Sequence, residues 1–227
     1  MKKIAFCYKG VFGLKKIVHS GIDEETISLL NQNIENHLNI FHDGFNRLGY
    51  ELDYHISTYD INDEINEIVR NALNPNTYSF IPNEYLHGST WISQLTHFRN
   101  LVNSIKNTGI EYDLIVMTRQ DLKVKMDFEE IYRRLNLEEF NITIGGNGYP
   151  SGNCDDNFFV FPSYFLETFG IIIEEMINSG AITHEINHYI ARKNIPINYI
   201  SEFMPEIKIW AHEVFEMYRP GQIGVNK

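Results

Sequence analysis

The chain has 227 residues, a formal net charge of −11, 43% hydrophobic and 22% charged residues, which is ordinary for a globular protein and enough for one large domain or two small ones. So acidic a surface repels phosphate polymers and anionic membranes, which argues against general nucleic-acid binding. Two cysteines, Cys7 and Cys154, make no disulfide framework, and reduced thiols in a cytoplasmic setting are the expectation.

Met1-Lys2-Lys3 resembles the start of an export signal, but the apolar run behind it stops at Lys9, too short for a signal core. Lys3 to Tyr8 reads as a first strand with Lys9-Gly10 at its end. Asp23 to Leu48 carries Ile27, Leu30, Ile34, Leu38, Phe41, Phe45 and Leu48 at steps of three and four, an amphipathic helix that Gly49 ends. Leu52, Tyr54 and Ile56 alternate as a second strand, closing at Ser57-Thr58-Tyr59-Asp60. Ile61 to Leu73 is a short helix. Asn76 to Gly88, with Pro82, reads as irregular. A Ser89 or Thr90 cap opens a long helix to Lys106.

Tyr112 to Leu122 is the most informative stretch. The apolar run Leu114-Ile115-Val116-Met117 ends in Thr118-Arg119-Gln120-Asp121, the pattern of a buried strand stopping at a polar crevice. Helix over Phe128–Leu135, strand over Phe140–Ile144, a glycine-rich loop over 145–153, strand over Phe158–Phe161, helices over Tyr164–Ile177 and Ile182–Arg192, and a strand over Asn198–Ile200 complete the reading. No stretch approaches the roughly eighteen apolar residues of a membrane span. Repeated βα units predict an α/β domain, residues 1–227, with a mostly parallel sheet flanked by helices.

The order of these features resembles the glycosyltransferases of GT-A fold. It is carried by Ile4-Ala5-Phe6-Cys7-Tyr8-Lys9-Gly10, Ser57-Thr58-Tyr59-Asp60, Gln94-Leu95-Thr96-His97-Phe98-Arg99, Thr118-Arg119-Gln120-Asp121 and Asp155-Asp156-Asn157-Phe158-Phe159-Val160. Arg-x-Asp after a buried strand is similar to the variant of the Asp-x-Asp motif in small capsule and virus-type sugar transferases. The resemblance spans residues 3 to 200 and implies a nucleotide-binding half to about residue 122 and an acceptor-side half beyond it.

It implies a UDP- or GDP-linked sugar as donor, a glycan as acceptor in polysaccharide biosynthesis, and a divalent ion, Mn²⁺ or Mg²⁺. The family's metal carboxylate carries over to Asp121 alone, since Arg119 replaces the first acid. One carboxylate plus a diphosphate suits a hard cation, while arginine's planar fork suits phosphate directly. Lys9, Gly10, Thr58, Asp60, Arg99 and Arg119 are the expected nucleotide contacts, and Asp156 with Asp155 the base or acceptor-orienting acids. Each has a plainer use. Arg119 and Asp121 can form a salt bridge with each other, Asp60 can cap a helix, and Arg99 can pair on the surface. Trp91, Tyr149 and Phe161 could stack on sugars or fill the core.

One motif competes. His184-Glu185-Ile186-Asn187-His188 matches His-Glu-x-x-His, which on a helix presents two imidazoles to zinc with a glutamate base beside them. A zinc metallopeptidase is therefore one alternative, and a non-catalytic nucleotide-sugar binding domain another. Ile182, Ile186, Tyr189 and Ile190 form the expected buried stripe of that helix, which puts both histidines on its polar face. A further option is that one of them lines the transferase cleft.

Overall fold

The computed structural model describes residues 1–10, 24–60, 63–81, 90–144, 154–200 and 215–217. The expected loop at 145–153 and the chain end after Pro220 lie outside them. Strands β1 (Lys2–Lys9), β2 (Tyr50–Tyr59), β3 (Thr77–Ile81), β4 (Leu114–Arg119), β6 (Phe140–Ile144), β7 (Cys154–Pro162) and β8 (Ile197–Tyr199) form one sheet in the order β3-β2-β1-β4-β7-β6-β8. Six of these strands run one way, and β7 alone is antiparallel to both its neighbours. A second sheet pairs β5 (Leu122–Val124) with β9 (Phe215–Met217).

The helices are α1 (Glu24–His37), α2 (Asp43–Arg47), α3 (Asp63–Leu73), α4 (Thr90–Thr108), α5 (Phe128–Arg134), α6 (Leu166–Ser179) and α7 (Ile186–Arg192). A π turn at Leu38–His42 joins α1 to α2, so the long helix read from the sequence is one helical run with a bulge in it. Alternation along the central strands divides the core. Ile4, Phe6 and Tyr8 of β1 with Leu114 and Val116 of β4 pack against Leu30, Phe41, Phe45, Ile65 and Val69. Ala5 and Cys7 with Ile115 and Met117 pack against Leu95, Phe98, Leu101, Phe169 and Ile172. Strands covered on both faces are continuously apolar, which is why β4 was readable.

β3 corrects the irregular reading of 76–88. Thr77-Tyr78-Ser79-Phe80-Ile81 is an edge strand, mostly half-exposed, and so lacks the apolar run of an interior one. Residues 183–192 also differ from the expected helix. A 3₁₀ turn covers Thr183–Glu185, and the α-helix starts only at Ile186.

Gly44 of α2 is a close-approach glycine. A Cβ there would stand 2.2 Å from Cγ of Phe128, whose ring is fixed edge-on to Phe45 at 4.9 Å and stacked on Tyr132 at 5.6 Å. Gly44→Ala is expected to destabilise the fold by about 1–3 kcal/mol through overpacking. A urea denaturation midpoint equal to that of the parent would contradict this.

Candidate functional site

From β1 the chain moves outward to β2 and β3, then returns to the other side of β1 as β4. The junction of β1 and β4 is therefore where the winding direction reverses, and ligands of open α/β sheets bind in the crevice beyond the strand ends there. At that place Lys9, the last residue of β1, is the register partner of Arg119, the last residue of β4.

The Lys9 side chain is wholly buried. Its ammonium lies 2.8 Å from Oδ2 of Asp156, 2.9 Å from Oε1 of Gln94 and 4.4 Å from the centre of the Phe98 ring. Gln94 and Phe98 come from one face of α4, one turn apart. Asp156 is delivered by an irregularity in β7. Between the pairs Ile142↔Phe159 and Ile144↔Cys154, β6 advances two residues while β7 advances five. The bulge shifts the alternation, so that Cys154 shares the face of Phe159 and Phe161, and it lets Asp156 reach Lys9.

Burial alone would raise the Asp156 pKa, but the charges of Lys9, Arg119 and His184, with the Lys9 hydrogen bond, hold it well below the carboxylate range. Such a carboxylate is always ionised and a weak proton acceptor. The structure gives it the task of fixing Lys9. Asp155 lies beside it in β7, with its side chain outside the described residues.

Arg119 and Asp121 bind each other. Nε and Nη2 of Arg119 donate to the two carboxylate oxygens at 2.7 and 2.5 Å, with the side chains only 16% and 10% exposed. This is the plainer use of the pair, in its strong bidentate form. It decides how an ion fits. Both oxygens of Asp121 are engaged by Arg119, and Oδ2 of Asp156 by Lys9. Among the described residues no three His, Cys, Asp or Glu gather as metal ligands. A resident divalent ion does not fit this pairing.

The other expected residues divide by strand face. Gly10 leaves β1 with φ +82° and donates its N–H to Ser57 O at 3.0 Å, in a backbone region that suits glycine. Thr58 is buried, but alternation puts it on the α1–α3 side with Ile56. Its neighbours are the residues that face Lys9's side: Ser57 Oγ lies 2.9 Å from Nδ1 of His97, and the Tyr59 ring stands edge-on to His97 at 4.8 Å. Asp60 is exposed at the end of β2. Arg99 turns to Glu174 of α6 at 4.0 Å and is not brought to Lys9. Phe161 is core, stacked on Phe140 at 4.4 Å, while the side chains of Trp91 and Tyr149 lie outside the described residues.

His97 was missed by the sequence reading, although it stands inside the quoted Gln94–Arg99 block. Its imidazole is fully buried, with Nε2 unpartnered among the described residues. The zinc motif is taken apart by the same geometry. His184 precedes the helix, is buried, and its Nδ1 donates to Cys154 O at 3.1 Å, while His188 is exposed. The two imidazoles do not share a helical face, which corrects the expectation of two histidines on one polar side. His184 instead faces the charge cluster and helps hold Asp156 ionised.

No family model matches the chain, and no curated protein matches it in sequence. Its fold does have solved counterparts. One is the crystal structure of a candidate nucleotide-diphospho-sugar transferase from Desulfovibrio desulfuricans G20, similar at a TM-score of 0.51 and 15% identity over 88% of this chain and 80% of that one. The fold is α/β and GT-A-like, as the βα alternation and the resemblance led one to expect. Among the described residues no helix is long and apolar enough to cross a membrane.

Two consequences for stability follow from these buried groups. Burial lowers the pKa of His37 and His55 to about 4 from 6.5, and burial with the charges of Lys9 and Arg119 lowers that of His97 to about 3. As pH falls from 6.5 towards 4 the unfolded chain takes up protons that the fold refuses, so stability falls with pH in that window. His55→Gln should flatten the dependence of the urea midpoint on pH between 7 and 4.5, removing on the order of 2 kcal/mol of variation. Lys9→Met should cost about 3–5 kcal/mol by leaving Asp156 buried alone, and Lys9→Met with Asp156→Leu should recover most of it. A double variant no more stable than the single one would contradict the pairing.

Proposed function

We propose that the chain is a glycosyltransferase that moves a sugar from a UDP- or GDP-linked donor to a growing glycan. The observation that carries this reading is the placement of Lys9 and Arg119 as register partners at the carboxyl ends of β1 and β4, where the sheet reverses its winding. The likeness in fold to the Desulfovibrio protein supports it at the level of architecture.

Breaking the bond from the anomeric carbon to the diphosphate leaves negative charge on the departing phosphate oxygen. A cation fixed beforehand at that oxygen lowers the barrier without reorganising in the transition state. Arg119, at 16% side-chain exposure, is the cation that a phosphate can reach. Lys9 is positioned rather than presented. It stands beside Arg119 in register, held by Asp156 and Gln94. Gly10 allows close backbone approach at the same strand end, and Asp60, exposed at the end of β2, is our candidate for the ribose or base. Of the two acids on β7, Asp156 is committed to Lys9, so Asp155 is the one we assign to the acceptor hydroxyl.

That commitment of Asp156 also favours a second reading, a nucleotide-sugar binding domain without catalysis. Turnover of a UDP- or GDP-sugar, by transfer or hydrolysis, separates the two. For the site itself we expect uridine or guanosine diphosphate to raise the thermal midpoint of unfolding. Arg119→Gln should remove that rise. A panel of nucleoside diphosphates and diphospho-sugars without effect would overturn the assignment.

A further inference from the structure

The buried face of α1 changes character along its length. Leu29 and Leu30 give way to Asn33 and His37, equally buried, with Asn36 half-buried beside them. These three polar side chains hold the main chain of one short segment. Nδ2 of Asn33 lies 3.5 Å from Gln120 O, and Nε2 of His37 donates to Leu122 O at 2.6 Å. Asn36 donates to Val124 O at 3.2 Å and accepts from Val124 N at 2.8 Å. The segment is the corner that follows Arg119, carries Asp121 and runs on into β5, which is also paired with β9. We infer that α1 is the positioning element of this corner, and that His37, aided by Asn36 and Asn33, sets where Arg119 meets a diphosphate without touching the ligand itself. This rests on the reading of the crevice as a diphosphate site.

His37 is the pivot because both of its nitrogens are engaged. Burial lowers its pKa to about 4, so the ring is neutral at pH 7 and holds one proton. Leu122 O can only accept, which places that proton on Nε2 and leaves Nδ1 to accept from the hydroxyl of Tyr8, 3.1 Å away. Tyr8 immediately precedes Lys9 on β1, and Leu122 immediately follows Asp121. One imidazole thereby ties together the two strand ends that bear the cations. Arg119 depends on such a hold, because its planar fork meets phosphate oxygens only in a set orientation. Apolar side chains on α1 would pack here as well, but they would take these partners from the main chain of the corner. Nor do Asn33 and His37 face a substrate. With Tyr8 and Gln120 they line a cavity of about 10 Å³, room for one water molecule at most.

Titration calorimetry on the full chain with uridine and guanosine diphosphate tests this, at a temperature where circular dichroism shows each variant folded. His37→Phe keeps a ring and removes both hydrogen bonds. It should bind the diphosphate about tenfold more weakly than the parent. A residue that only supported the fold would lower the melting midpoint and leave the affinity of the folded chain unchanged. His37→Gln, which still offers a donor and an acceptor, should restore the affinity to within about threefold of the parent. The flexible ammonium of Arg119→Lys depends less on the placement of the corner, so adding His37→Phe to that variant should cost no more than about twofold. Should His37→Phe fail to fold, Tyr8→Phe, which loses only the hydroxyl on Nδ1, is read in the same way, with binding about threefold weaker. Undiminished affinity in the folded variants, or an equal loss in the parent and Arg119→Lys backgrounds, would overturn the positioning role and leave the diphosphate site standing. If neither diphosphate binds the parent, the site and the positioning role fall together.

Discussion

The contact between the Lys9 ammonium and the Asp156 carboxylate organises this molecule. It spans 147 positions of sequence and joins the end of the central parallel strand to the start of β7, the strand that runs antiparallel to the rest of the seven-stranded sheet. An ammonium wholly removed from water has few tolerable solutions. It must keep a counter-ion at contact distance, fill its remaining donor directions, or give up its proton. Here the counter-ion is Asp156, a donor direction is taken by Gln94, and an aromatic face, Phe98, covers it. Each of these demands fixes an element. The bulge in β7 exists at the point where Asp156 must turn, and the face of α4 that meets β1 is set by Gln94 and Phe98 together.

The pair also shapes what the strand ends can do. Replacing a buried ion pair by apolar groups of similar volume is often neutral or stabilising, so the charges are weak evidence for stability in themselves. They are better understood as a fixed field. Lys9 cannot swing away, and Arg119 stands beside it in register. Their combined potential acts on His97, whose imidazole is held neutral by burial and by both cations. Among the described residues, two cations and two carboxylates meet at this end of the sheet, on a chain whose net charge is −11.

What the sequence revealed depended on whether the signal was local. β4 announced itself because both of its faces are covered, and Gly49 ended the long helix as its spacing implied, donating to Asn46 O at 2.9 Å with φ +82°. β3 was hidden because an edge strand carries no such run. At the end of β2 the strand was found but its phase was not. Thr58 was chosen, whereas alternation turns Ser57 and Tyr59 towards His97. The partner of Lys9 was invisible, since nothing in the residues around either charge encodes a bulge on a strand that far along the chain. His184 illustrates the opposite error. Its spacing to His188 was real, but a 3₁₀ turn and a hydrogen bond to Cys154 O gave it other work.

The spacing of Arg119 and Asp121 carries a last consequence. Residues two apart at the end of a strand project to the same side, so their side chains meet. Two carboxylates in those positions would repel each other and would need a cation to be comfortable even in the resting protein. An arginine in the first position turns that repulsion into a bidentate attraction, satisfied by the chain alone. The strand end thereby needs no ion to offset repulsion between its side chains. Stability and binding, which a pair of acids would tie to the same ion, are separated here.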